Sequence, residues 1–136
     1  MKSRRLAREQ ALAILYSVVV GSREPSDALH DVVGENADGE QRAFVRELAL
    51  GTIEYAEEAN RIVSPLLEGW ALERLPTIDR ILLRMGLYEL RYHAETPAPV
   101  VINEAVELAK RFSTEDSGRF VNGVLSRAAQ RVRDGA

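Results

Sequence analysis

The residues best suited to chemistry are four cations at the start of the chain. Residues 1–8 contain no acid. The cations are Lys2, Arg4, Arg5 and Arg8. Arg8 follows Arg4 by four positions and Arg5 by three, so a helix is expected to project the three guanidinium groups from one side. Arginine makes bidentate hydrogen bonds to phosphate, and each neutralised phosphate releases counterions, so this cluster is suited to a nucleic-acid backbone.

Charge and helix electrostatics both set this cluster apart from the rest of the chain. Without it the sequence carries 14 basic and 21 acidic side chains, a formal −7. The positive end of a helix dipole disfavours cations by about 0.3–1 kcal/mol each. A basic pole on an acidic body therefore indicates an anionic partner at one place, although a solubilising terminus is the alternative. Tyr16, two turns beyond Arg8 along the same side, is interpreted either as a stacking surface for a base or as a cap on the core.

A second candidate surface lies within Val100–Leu125, where two stretches of helical periodicity flank a polar turn. Phe120 and Asn122 flank the apolar stripe of the second stretch. Phe120 is either a core aromatic or a platform for an unpaired base, where stacking is worth about 1–3 kcal/mol. Asn122 either faces solvent or offers a donor and an acceptor to a base edge.

The polar turn before Phe120 also contains candidate residues. Asp116 and Ser117 are placed to cap the last helix. Asp116 could instead tune RNA affinity by charge repulsion. Gly123 is expected to permit close packing between helices.

Side chains for catalysis or metal binding are sparse. The chain has no cysteine, which excludes disulfides and thiolate metal sites. His30 and His93 are far apart and lack a metal-ligand spacing. No phosphate-binding loop, dinucleotide glycine pattern or nucleophile elbow occurs. The acids in the pairs Glu57–Glu58 and Glu115–Asp116 are adjacent in sequence, so their side chains diverge on a helix and are poorly placed to act on one bond. We therefore expect a protein that is not an enzyme and needs no cofactor or metal.

Helices must position the candidate residues, because nearly every periodic segment has helical spacing. Helices are expected over about Arg4–Val20, Pro25–Val33, 39–69 with a kink near Ser64, and Thr77–Tyr92, followed by two more in the last third. The Thr77–Tyr92 segment is apolar on most sides, which is typical of the centre of a bundle. The pattern predicts an all-α compact bundle of about seven helices, with two helical subassemblies around that central helix, in a single domain over 1–136.

No apolar run approaches the roughly 20 residues of a membrane span. The N-terminus also lacks a signal-peptide cleavage pattern. A cytoplasmic protein is expected.

The sequence resembles the NusB family of transcription antitermination factors in three blocks. They are RRLAREQALAILYS, then FVRELALGTIEY with RLPTIDRILLRMGLYEL, then INEAVELAKRF with EDS and RFVNGVL. Together the blocks cover almost the whole chain, and residues 21–40 are the least distinctive part. The resemblance implies a NusB-like all-helical protein that binds boxA-like RNA of ribosomal RNA leader transcripts together with the small-subunit ribosomal protein NusE. That assembly joins RNA polymerase and other Nus factors to suppress premature termination.

The same resemblance implies roles for particular residues. The opening arginines fall where the family has its arginine-rich RNA-binding motif, and the FVNG aromatic and its preceding loop belong to the RNA surface. The residues so assigned at the second place are Phe120, Asp116 and Asn122. The region of the central helix is implied to contact NusE, which points to Glu73, Asp79 and Arg84. From the residues alone, Asp79 and Arg84 belong to a salt bridge within the bundle or to a solvated edge.

Two other functions remain open from the sequence. One is a helical scaffold that binds only proteins, through the acidic body and the central helix. The other is an ancillary RNA-binding domain, because NusB-like domains also precede the catalytic domain of some ribosomal RNA cytosine methyltransferases. Family members occur as monomers and as homodimers, so either state is expected to be accessible.

Overall fold

A computed structural model describes residues 4–34 and 39–134 of the 136-residue chain. Over these ranges it contains six α-helices and no strand. The helices are α1 (Arg4–Gly21), α2 (Pro25–Val33), α3 (Gly39–Val63), α4 (Thr77–Tyr92), α5 (Ala98–Phe112) and α6 (Glu115–Ala129). Short 3₁₀ turns at Ser64–Leu66 and Leu72–Arg74 and a π turn at Gln130–Asp134 complete the described structure. The expected all-helical fold is confirmed.

Proline residues account for several of the helix bounds. Pro25 begins α2, and Pro97 precedes the first residue of α5. Pro65 lies in the 3₁₀ turn directly after α3, where the kink near Ser64 is expected. Proline is tolerated in the first turn of a helix because its missing N–H would be unpaired there in any case.

The chain divides into two compact units, Met1–Glu54 and Tyr55–Ala136. The boundary falls inside α3, so α3 is the helix common to both units, whereas α4 belongs wholly to the second. In the first unit α1 packs on α2, and the buried side chains of α1 include Ala7, Ala11 and Ile14.

The second unit is built around α4, as its apolar sequence predicts. Ten of the sixteen α4 residues are buried, and α4 packs against both α5 and α6. Gly86 allows the close approach of α6, because a Cβ there would lie 2.7 Å from Leu125 Cδ1. Gly118 faces the side chain of Lys110 in the same way, because a Cβ at Gly118 would lie 2.9 Å from Lys110 Cγ.

Two expectations about α6 are wrong. Its N-cap is Thr114, whose hydroxyl accepts a 2.9 Å hydrogen bond from Ser117 N, so neither Asp116 nor Ser117 is the capping residue. Thr114 has the extended backbone that a capping side chain needs, while Asp116 and Ser117 are already helical. Gly123 is exposed, and a Cβ there would meet no atom within 4 Å, so Gly123 does not serve close helix packing.

The described part of the chain offers neither a transmembrane helix nor a metal site. Among residues 4–34 and 39–134, no helix is long and apolar enough to cross a bilayer. The same residues contain no group of histidine, aspartate and glutamate side chains that could hold a metal ion.

Candidate nucleic-acid interface

The N-terminal cations do not share one environment. Arg4 and Arg5 are exposed on the first turn of α1, but Arg8 is only 6% exposed. The three guanidinium groups are expected on one side of the helix, but Arg8 does not share the exposure of Arg4 and Arg5. Arg8 adjoins Ala7 and precedes Ala11 by three positions, so it lies beside the stripe that α1 buries, and its side chain is engaged within the fold. Lys2 lies outside the described residues.

Arg4 is held by an aromatic ring of the first unit. Its guanidinium carbon lies 3.8 Å from the centroid of the Phe44 ring on α3. In a stacked cation–π contact a guanidinium uses its face, and its N–H donors remain in its own plane. Arg4 is thus oriented and remains able to donate to a phosphate.

Tyr16 is 42% exposed, so it does not lie within the core. Val19 and Val20 are exposed one turn further along α1, at the i+3 and i+4 positions that share its side of the helix. The C-terminal end of α1 therefore presents an apolar surface, roughly 17–24 Å along the helix axis from exposed Arg4 and Arg5.

The candidates on α6 point in different directions. Asp116 is exposed and forms an ion pair with Arg119, one turn along the helix. Phe120 is half-buried, and Asn122 is exposed. Two positions along an α-helix correspond to a rotation of about 200°, so Phe120 and Asn122 cannot form one continuous surface.

Asn122 instead lines a groove between α5 and α6. The groove has a volume of about 510 Å³. Its lining consists of Pro99, Ile102, Asn103, Val106, Lys110, Gly118, Arg119, Asn122 and Ser126. None of these nine residues is acidic, although the chain as a whole has a net charge of −3.

Sequence reasoning missed three polar members of this groove, Asn103, Lys110 and Arg119. A signal was present. Positions 103, 106 and 110 on α5 and positions 119, 122 and 126 on α6 follow the same i, i+3, i+7 spacing, which places each set along one side of its helix. What the spacing alone cannot reveal is that the two sides face each other.

The three residues assigned to a protein partner also differ in environment. Glu73 is exposed in the second 3₁₀ turn, and its carbonyl oxygen accepts a 3.3 Å hydrogen bond from Arg80. Asp79 is 3% exposed, and its Oδ2 accepts a 2.8 Å hydrogen bond from Ser117 Oγ. In this structure the Asp79 carboxylate is therefore not exposed for a direct contact with a partner, because it is covered by the turn that begins α6.

Arg84 is half-buried on α4. Its Nε donates a 3.0 Å hydrogen bond to Asn60 Oδ1, so its partner is an amide of α3 rather than Asp79. Burial, followed by the positive charge of Arg80, lowers the pKa of the Arg84 guanidinium. Of the three assigned residues, only Glu73 is freely accessible to a second protein.

Known proteins share both the sequence and the fold. A model of the NusB family matches residues 5–130. The transcription antitermination protein NusB of Geobacillus kaustophilus is 46% identical over 121 residues, which cover 89% of this chain and 91% of that protein. The same protein from Bacillus velezensis is 43% identical over 124 residues, with 90% and 92% coverage.

Solved structures give the same result. NusB of T. maritima superimposes with a TM-score of 0.89 at 32% identity, over 98% of this chain and 96% of that one. A chain in the crystal structure of antitermination factors NusB and NusE in complex with dsRNA matches with a TM-score of 0.84 at 28% identity, over 94% and 96% of the two chains. By sequence and by fold, this chain belongs to the NusB family.

Proposed function

We propose that this protein is an RNA-binding transcription antitermination factor. It binds boxA-like RNA of ribosomal RNA leader transcripts together with NusE, and it promotes antitermination by RNA polymerase with other Nus factors. The observation that carries the proposal is the family match over residues 5–130, combined with the likeness to NusB in a complex with NusE and RNA. The protein acts by binding and not as an enzyme.

One proposed RNA-contacting surface, in the first unit, is the start of α1. Arg4 and Arg5 donate to phosphates, and Lys2 adds charge. Arg8 is buried, so it contributes positive potential while its side chain is engaged within the fold. Tyr16 provides an exposed ring on which a base can stack.

A second proposed RNA-contacting surface, in the second unit, is on α6. Phe120 stacks with the exposed part of its ring, and Asn122 contacts a base edge on the other side of the helix. Asp116 opposes RNA binding in two ways, because its carboxylate repels phosphate and also occupies Arg119.

NusE is the protein partner, and α4 with its preceding turn is the region proposed to meet it. Glu73 makes the direct contact. Asp79 and Arg84 act by positioning, since each is held by a hydrogen bond inside the fold. The whole chain, 1–136, works as one NusB-like domain, which is supported by a family match that runs through both compact units. Because it acts on RNA polymerase, we place it in the cytoplasm, as a monomer or a homodimer.

One feature favours a second function, that of a scaffold for proteins alone. Trp70, in the turn between the two 3₁₀ segments, is 62% exposed. Tryptophan is enriched at protein–protein interfaces, where it often supplies much of the binding energy. Such a scaffold would bind NusE without binding RNA.

A titration of boxA-like RNA at several salt concentrations, with and without NusE, separates these functions. We expect binding that weakens as salt increases, with a steeper slope for the wild type than for the Arg4→Ala, Arg5→Ala double variant. The matched control is Arg61→Ala, which removes an exposed arginine in the second unit. No salt-sensitive binding under either condition would exclude the RNA function and leave the scaffold.

A further inference from the structure

The groove between α5 and α6 has the size and the surface chemistry of a small-ligand site. Its volume of about 510 Å³ falls within the roughly 300–1,000 Å³ of such sites. Half-buried Ile102 and Val106 give it an apolar surface. Exposed polar side chains, Asn103 and Asn122 among them, complete the lining.

The two helices each contribute one amide to this groove. An asparagine side chain offers two N–H donors and one acceptor, which match the edge of a nucleobase. The hydrogen bond from Ser126 Oγ to Asn122 Oδ1 is 3.5 Å, which is long for a hydroxyl donor. Asn122 can therefore exchange that bond for a base without losing a strong contact.

Two cations of the groove can neutralise a phosphate. Lys110 Nζ lies 3.6 Å from Glu107 Oε2, and Arg119 pairs with Asp116, so each cation is held by an acid one turn earlier on its helix. These ion pairs are exposed and therefore weak, so a phosphate can displace the carboxylates. The nine lining residues include these two cations and no acid, so the groove can accept a phosphate once the ion pairs with Glu107 and Asp116 are displaced.

We infer that this groove binds one unpaired nucleotide of the RNA. The base lies against Ile102 and Val106, Asn103 and Asn122 read its edge, and Lys110 and Arg119 hold the adjoining phosphate. This inference rests on the proposed RNA function. It is separate from stacking on Phe120, which points about 200° away from Asn122 around α6. The competing occupant is a segment of NusE, but the paired amides and the cations favour a nucleotide.

The test is a variant that keeps the shape of the groove and removes its hydrogen bonds. Asn103→Leu with Asn122→Leu replaces each amide by an apolar side chain of similar size. With boxA-like single-stranded RNA, in the presence and absence of NusE, the dissociation constant of this double variant is expected to rise at least about tenfold. Gly123→Ala is the matched control, since Gly123 adjoins Asn122 but does not line the groove, and its dissociation constant should stay within about twofold.

RNAs that lack one base identify the bound nucleotide. In a series with a single abasic position, one position should weaken binding to the wild type but have no further effect on the Asn103→Leu, Asn122→Leu variant. That coupling is expected only if the missing base contacts the two amides. If every abasic position weakens the variant as much as the wild type, the groove does not read a base.

The remaining outcomes distinguish this inference from the proposed function. Failure of the wild type to bind RNA at all defeats both. If the wild type binds RNA and the double variant binds it with the same dissociation constant, only the nucleotide site is defeated. The same conclusion follows if the double variant loses NusE binding but keeps its affinity for RNA. If the double variant does not fold, the side-chain amide NMR signals of Asn103 and Asn122 in the wild type decide the matter. They must shift on saturation with RNA, and unmoved signals would overturn the inference.

Discussion

Ser117 Oγ donates a 2.8 Å hydrogen bond to Asp79 Oδ2, which joins the first turn of α6 to the first turn of α4. Both side chains are buried, and Asp79 Oδ1 has no hydrogen-bond partner among residues 4–34 and 39–134. Ser117 Oγ also lies 2.9 Å from Ser113 Oγ and accepts a 3.1 Å hydrogen bond from Thr114 Oγ1. The turn that leads to Asp116 and Phe120 is thus anchored to the central helix.

Ser117→Ala should destabilise the protein by about 1–3 kcal/mol, because it leaves the second oxygen of a buried carboxylate without its donor. Urea denaturation at neutral pH measures the change. Ser126→Ala, an exposed serine on the same helix, is the control and should shift the free energy of unfolding by less than about 0.5 kcal/mol. Equal effects of the two variants would mean that the bond to Asp79 contributes nothing.

Two glycine substitutions should have opposite effects. Gly86→Ala is expected to lower stability by about 1–3 kcal/mol, because the new Cβ would lie 2.7 Å from Leu125 Cδ1. Gly123→Ala meets no neighbour within 4 Å and should raise stability by up to about 1 kcal/mol through helix propensity. Thermal melting monitored by circular dichroism compares them. A stabilising Gly86→Ala would contradict the close packing of α4 and α6.

Arg133 binds carbonyl oxygens at the C-terminal end of α4, so its replacement should destabilise that end of the helix. Its guanidinium donates to the carbonyl oxygens of Leu90 at 2.8 Å, His93 at 2.9 Å and Thr96 at 2.7 Å. The last carbonyls of a helix have no partner within it, so Arg133→Ala should cost about 1–3 kcal/mol.

Hydrogen exchange locates the effect of Arg133→Ala. Protection should fall first in the last turn of α4 and in the turn after it, where those carbonyls lie. Arg131→Ala, an exposed neighbour, is the control. Unchanged protection in α4 would contradict the closure by Arg133.

Asp116→Asn should strengthen RNA binding, by several-fold at low salt. The substitution removes one negative charge beside the proposed site and frees Arg119 from its ion pair. It should also cost about 0.3–1 kcal/mol of stability, since an acid in the first turn of a helix interacts favourably with the dipole.

Glu115→Gln separates the two causes of that effect. It removes the same charge at the adjacent exposed position while leaving the pair between Asp116 and Arg119 intact. Its gain in affinity, measured by fluorescence anisotropy, should therefore be smaller. Equal gains would mean that only net charge matters and that Arg119 plays no specific part.

Ionisation of the Tyr55 hydroxyl should lower the stability of the protein at alkaline pH. Burial, then the negative charge of Glu58 and the neighbouring Tyr92, raises the pKa of its hydroxyl above 10.0, against an opposing effect of Arg91. The unfolded chain then loses this proton at a lower pH than the folded one, so the stability it contributes is present below pH 10 and is lost as pH rises through the folded pKa.

Tyr55→Phe removes that titration. Between about pH 9 and 11 its free energy of unfolding should fall less steeply than that of the wild type. Parallel curves would show that Tyr55 has the same pKa in both states.

The positions of the helices could be predicted from the sequence because their signals are local. Apolar spacing, together with Pro25, Pro65 and Pro97, acts within a few residues, and α2 and α4 have the predicted bounds. The cap of α6 lies two and three positions before the expected Asp116 and Ser117, since Thr114, Asp116 and Ser117 are all residues that can cap a helix. Backbone dihedral angles, and not residue type, select Thr114.

The sequence by itself also determined the family, the all-helical class and the identity of the cations that open the chain. Only the tertiary structure decided which of these side chains is accessible. Helical periodicity sets the angle of a side chain around its own axis, but it does not say which other element covers that angle. Arg8 is buried beside the exposed Arg4 and Arg5, Asp79 is covered by Ser117, and Gly86 rather than Gly123 meets a facing helix. The environments of Asp79 and Gly86 depend on neighbours distant in sequence, as does the groove lined by Asn103 and Asn122.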